Sequence, residues 1–187
     1  MRKHTGTFLV IAAILLTVLA SGCSGREVFK CSSDNVLGLE SVRISGNQIT
    51  LYFDSEKVVH GDKPPYGAMK KIFEQGNNKD YSVTFFMSGK ENIYYSVKDI
   101  EVNNKDKTIM IEAKDVQMSK VTGLRIRDGL ESYMVDFKYG SLQADLVTVE
   151  GNGMYTISMF KYTQFYDPKE QTWSEPEVET SVGELWT

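Results

Sequence analysis

Thiols and imidazoles are scarce in this 187-residue chain: the cysteines are Cys23 and Cys31, and the histidines are His4 and His60. His4 falls within the basic start of an export signal, so His60 is the only histidine expected in the mature chain, which leaves no multi-His zinc site within one chain. His60 lies in the polar run Val59-His60-Gly61-Asp62-Lys63. With no Gly-x-Ser-x-Gly elbow anywhere, it reads as a solvated loop residue and not as a triad base. Cys31 sits in Lys30-Cys31-Ser32-Ser33-Asp34-Asn35 without a base beside it, so its thiol is expected to be incidental, with an intermolecular disulfide as the alternative. Carboxylates are plentiful but scattered over turns and outward strand positions. They include no Asp-x-Asp-x-Asp-Gly calcium loop, and no phosphate-cradling glycine loop occurs. No catalytic residue, metal ligand or cofactor is assigned. A glycosidase-type pair needs only two carboxylates about 5 to 9.5 Å apart, which keeps a hydrolase open as an alternative.

Aromatic side chains are the other chemical resource. Tyr155, Phe160, Tyr162, Phe165, Tyr166 and Trp173 fall in one C-terminal span. In a strand over 154–162, Phe160 and Tyr162 face opposite to Tyr155, Ile157 and Met159. One face can be core; the other needs cover or a ligand. Tyr162, Phe165, Tyr166 and Trp173 are the candidate binding residues, because they lie where the strand pattern ends and acidic residues begin.

The first residues read as an export signal. Arg2, Lys3 and His4 precede the apolar run Phe8 to Ala20, then Ser21-Gly22-Cys23. As a helix this run spans only about 20 Å, short of the ~30 Å hydrocarbon core, which disfavours a permanent transmembrane helix. Leu19-Ala20-Ser21-Gly22-Cys23 closely resembles the lipobox of bacterial lipoproteins. The resemblance implies cleavage before Cys23, fatty acyl chains such as palmitate on its thiol, and a lipid-anchored protein facing outside the cytoplasm. Without residues 1–22 the chain carries 19 Lys+Arg against 25 Asp+Glu, a side-chain balance of -6. That charge disfavours nucleic acid and repels anionic lipid headgroups, so the expected contact with the membrane is the lipid on Cys23 alone.

The elements that must position these residues are strands. Val42 and Ile44, then Ile49, Leu51 and Phe53, alternate with polar residues around Gly46-Asn47, a type II′ hairpin signal. If Ser45 opposes Gln48, Ile44 opposes Ile49 and Val42 opposes Leu51, so the apolar side chains share a face. The same alternation recurs at 83–87, 93–97, 100–102, 109–111, 124–126, 132–137, 142–149 and 154–162. A phase change near Lys98-Asp99 suggests a bulge, and Gly151-Asn152 a second hairpin turn. Within 54–80, Met69, Ile72 and Phe73 are spaced for a short helix. These features predict an all-β chain, a β-sandwich or alternatively a small β-barrel, with one short helix in the 54–80 insertion.

Ile49-Thr50-Leu51-Tyr52-Phe53-Asp54-Ser55-Glu56-Lys57-Val58, with Tyr81-Ser82-Val83-Thr84 and Thr108-Ile109-Met110-Ile111 following in order, resembles the Ig-like modules of bacterial surface proteins. This resemblance implies an Ig-like sandwich acting as a binding or spacer module, with no catalytic residues. The expected organisation is a signal peptide over 1–22, a tether over 23–38, a sandwich over 39–162 and an acidic solvated extension over 163–187. The leading expectation is a lipid-anchored module that binds a cell-envelope protein or polysaccharide without catalysis. The alternatives are an envelope-processing hydrolase with a carboxylate pair and a small-ligand carrier with a barrel-like cavity.

Overall fold

Period-two hydropathy forms ladders where turn residues permit it. The computed structural model describes residues 25–31, 34–60, 67–78, 81–89, 93–97, 100–151 and 154–186; the expected signal over 1–22 and the Cys23 lipidation site lie outside them. The strands are β1 (Arg26–Lys30), β2 (Leu39–Ser45), β3 (Gln48–Phe53), β4 (Tyr81–Met87), β5 (Ile93–Val97), β6 (Ile100–Asn103), β7 (Thr108–Glu112), β8 (Val121–Asp128), β9 (Glu131–Asp136), β10 (Ser141–Gly151), β11 (Met154–Asp167), β12 (Thr172–Trp173) and β13 (Glu177–Trp186). Two short helices, α1 (Ser55–His60) and α2 (Lys70–Gln75), lie in the 54–80 insertion. His60 thus ends a helix, and residues 61–66 of the expected loop lie outside the described residues.

All pairings are antiparallel. Five strands form one sheet in the order β1-β2-β3-β7-β6; the other runs β12-β11-β10-β9-β8-β4-β5, with β13 also on β11. Both sheets stay open, so the architecture is a β-sandwich and not the alternative barrel. The β2–β3 register is the one expected: Ser45 opposes Gln48, Ile44 opposes Ile49 and Val42 opposes Leu51. Gly46 takes φ 59 and Asn47 is not among the positive-φ residues, as a type II′ turn requires.

Facing side chains from the two sheets make the core. Val42, Ile49, Leu51, Ile109 and Ile111 come from one layer, and Val83, Phe85, Leu124, Ile126, Tyr133, Val135, Leu142 and Ala144 from the other. The insertion caps this core: Phe73 of α2 meets Phe53 edge-on with ring centroids 5.4 Å apart. The expected bulge at Lys98-Asp99 lies outside the described residues. Its flanks explain the phase change, since β5 belongs to the larger sheet and β6 to the smaller.

Two boundaries differ from expectation. The tether over 23–38 is largely structured: β1 pairs with β2, and Cys31, Val36 and Leu37 are buried. The few apolar residues in that stretch find cover despite its polar average. The extension over 163–187 is likewise part of the sheet, because β11 continues to Asp167 and β13 pairs with it over ten residues. Backbone hydrogen bonding holds β13 there, a contribution that acidity does not prevent.

Candidate functional site

Three strands continue beyond the rest of the larger sheet. β9 pairs with β10 only as far as Asp145, yet β10 runs on to Gly151 beside β11, and β11 beside β13. The result is a three-stranded ribbon, and its register sorts the side chains. Opposite residues share a face, so Ala144, Tyr162 and Val178 lie on the core side, while Val147, Met159 and Ser181 lie on the outward side.

Register also separates the four candidate aromatics. Tyr162, Tyr166 and Trp173 are on the core side. Tyr162 is 7% exposed and stacks on Phe160 with centroids 6.4 Å apart and planes at 19°. Trp173 opposes Tyr166, its ring 5.3 Å from that of Tyr166 and 5.9 Å from that of Phe29 on β1. The indole faces Cys31, whose thiol burial pushes up to about 12, partly offset by that indole and by Lys57. Such a thiol stays protonated and unreactive near neutral pH. Phe165 alone points outward, 49% exposed. The four candidates are therefore divided between an internal seam that joins β1 and the segment after it to β11 and β12, and one external ring.

Sequence reasoning missed the residue that completes this seam. Gln164, 1% exposed, accepts a hydrogen bond from the Val36 N–H at 2.6 Å and donates to the Ser174 carbonyl at 2.9 Å. Beside it, buried Asn35 accepts from the Leu37 and Leu39 N–H groups and donates to the Leu39 carbonyl. These two amides satisfy the N–H groups of buried Val36, Leu37 and Leu39 and the Leu39 carbonyl, which would otherwise be buried unpaired.

The outward face of the ribbon carries an apolar row that no other element covers among the described residues. Met159 is 49% and Val149 58% exposed, with Tyr155, Ile157 and Val147 half-buried between them. Gly183 opposite Ile157 leaves that flank open, with no atom near the place of a side chain. Beside this row lies a groove of about 520 Å³ lined by Leu130, Gln143, Asp145, Met159, Lys161 and Glu179. Its polar groups are fixed: Asp145 accepts from the Ser132 hydroxyl at 2.6 Å and the Gln143 amide at 2.7 Å, and Lys161 pairs with Glu179 at 3.2 Å. Apolar contact area with a few anchored polar groups suits recognition of a chain or a surface.

Carboxylates meet elsewhere. Asp128 and Glu131 oppose each other across the Gly129-Leu130 turn, on the core side of β8 and β9. Glu131 takes hydrogen bonds from Lys71 Nζ at 2.8 Å, the Tyr133 hydroxyl at 3.2 Å and the Val147 N–H at 3.4 Å, tying α2 to the ribbon. Burial and then the Glu131 charge push the Tyr133 hydroxyl well above its usual range, and burial and then Asp128 raise that of Tyr81. The signal was readable: a Gly-containing two-residue turn between alternating strands sets its two flanking acids opposite one another. Among the described residues, no group of three His, Cys, Asp or Glu could hold a metal ion.

No family model, no curated protein and no solved structure matches this chain.

Proposed function

We propose that the chain is a lipid-anchored, extracytoplasmic β-sandwich that binds an envelope protein or polysaccharide without catalysis, and that the outward face of the ribbon makes the contact. One observation carries the reading: Met159 on β11 and Val149 on β10 stand exposed beside half-buried Val147 and Ile157, with Phe165 exposed farther along the same face of β11, while the other face of both strands supplies core at Tyr162 and Ala144. Contiguous exposed apolar rows of this kind mark interaction surfaces. The lipobox-like ending at Cys23 supports the anchor, and because β1 begins at Arg26 the lipid would lie within about 10 Å of the sandwich.

Two experiments test this. Fatty-acid labelling should enter the wild type and not Cys23→Ser; label that survives the substitution overturns the anchor. Met159→Glu with Phe165→Ala should keep the melting temperature and lower retention on isolated cell envelope by about tenfold, since a few central side chains carry most binding energy. Unchanged retention overturns this face as the contact.

A further inference from the structure

Beside the apolar face, the ribbon ends in an open edge. β13 pairs with β11 alone among the described residues, and every β13 residue from Glu177 to Glu184 is exposed. An edge strand leaves a row of N–H and C=O groups free on its outer side, and proteins blunt such edges with charge or accept a strand there. From Glu170 onward the sequence holds Glu170, Glu175, Glu177, Glu179 and Glu184 and not one Lys or Arg.

We infer that the β13 edge takes up an extended, Lys- and Arg-rich segment of another protein as an added strand. This rests on the binding reading above and names its partner. The register gives the added strand its pattern. Over residues 177–182, Glu177 and Glu179 lie on the outward face, while Val178 and Val182, 52% and 64% exposed, lie on the other, where Glu184 follows them. An incoming strand that alternates cation with apolar residue meets carboxylates on one side and valines on the other. Lys161 already shows this charge pairing, held at 3.2 Å by Glu179 from the neighbouring strand. A second copy of this chain fits poorly: it sets another edge that carries Glu177, Glu179 and Glu184 and no Lys or Arg against the first.

The test uses the full-length chain in mild detergent and a fluorescent decapeptide of alternating Lys and Val, read by anisotropy. The peptide should bind. A version with Pro for each Val, equal in charge but unable to pair as a strand, should bind at least about tenfold more weakly. Glu177→Lys with Glu179→Lys and Glu184→Lys should lose affinity for the Lys/Val peptide by a similar factor and gain it for a Glu/Val peptide. Equal binding of the Pro version, or unchanged affinity in the triple variant, overturns the inference. So does a wild-type dimer that competes with the peptide, which would make a second copy the occupant. If the peptide fails while wild-type envelope retention persists and still depends on Met159 and Phe165, this inference falls and the binding reading stands. If retention does not depend on Met159 and Phe165 while the peptide still binds as described, the outward-face contact falls and the edge remains.

Discussion

The two halves of β11 share one alternating pattern and meet opposite fates. From Tyr162 to Tyr166 the strand lies within the sandwich, where Tyr162 is core and Gln164 joins residue 36 to residue 174. From Met154 to Phe160 it lies in the ribbon, and its outward row of Tyr155, Ile157 and Met159 has no second layer over it among the described residues. An apolar row becomes core only if another element covers it. Alternation says that two faces differ, and leaves open which one is dry.

The largest expected effect is in the packed half. Tyr162→Ala should cost about 3 to 5 kcal/mol by chemical denaturation, as large-to-small changes of buried aromatics do. A cost below about 1 kcal/mol would mean that this half is no better packed than the ribbon. Gln164→Ala comes next. It leaves the buried Val36 N–H without its acceptor, at about 1 to 3 kcal/mol, while the carbonyl of exposed Ser174 turns to water. Limited proteolysis should then cut first near the two chain segments that Gln164 joins.

Cys31 probes the same seam through pH. Its folded pKa is raised from 9.0 to about 12, chiefly by burial, so the folded chain keeps a proton that the unfolded chain releases. The associated stability is fully present below about pH 9 and is lost as pH rises towards 12. Wild type should therefore lose more stability than Cys31→Ala between pH 9 and pH 11 in urea titrations. Equal losses would place the thiol in contact with solvent. The smallest stability effect belongs to the ribbon: Met159→Ala should stay within about 0.5 kcal/mol of wild type, as surface substitutions do. A loss near that of Tyr162→Ala would erase the contrast between the two halves.

Much of the fold was legible because hairpin register follows from local rules. Gly46-Asn47 and the alternation on either side of it define the β2–β3 pairing, and every apolar position named there faces the core or its margin. The Met69, Ile72 and Phe73 spacing likewise located α2. The ends were misread because composition was used where pairing decides. Val28 and Phe29 look like exceptions in a polar stretch until β2 and Trp173 are beside them. The acidic run after residue 174 looks solvated until β11 supplies its backbone partners. The candidate site was legible only as an excess: a strand with large side chains on both faces. Its division into a seam at Trp173 and an outward row at Met159 depended on what lay across from each.

By itself the sequence determined the all-β class, the β2–β3 register and the two-faced character of β11, since these follow from turn chemistry and a period of two within a few neighbouring residues. Tertiary structure decided that Cys31 is core, that the acidic end is a strand, and that Asp128 and Glu131 stand opposite each other under Tyr133. Those outcomes depend on contacts between residues as far apart as Val36 and Gln164. Burial belongs to a pair of surfaces, and a single stretch of chain carries only one of them.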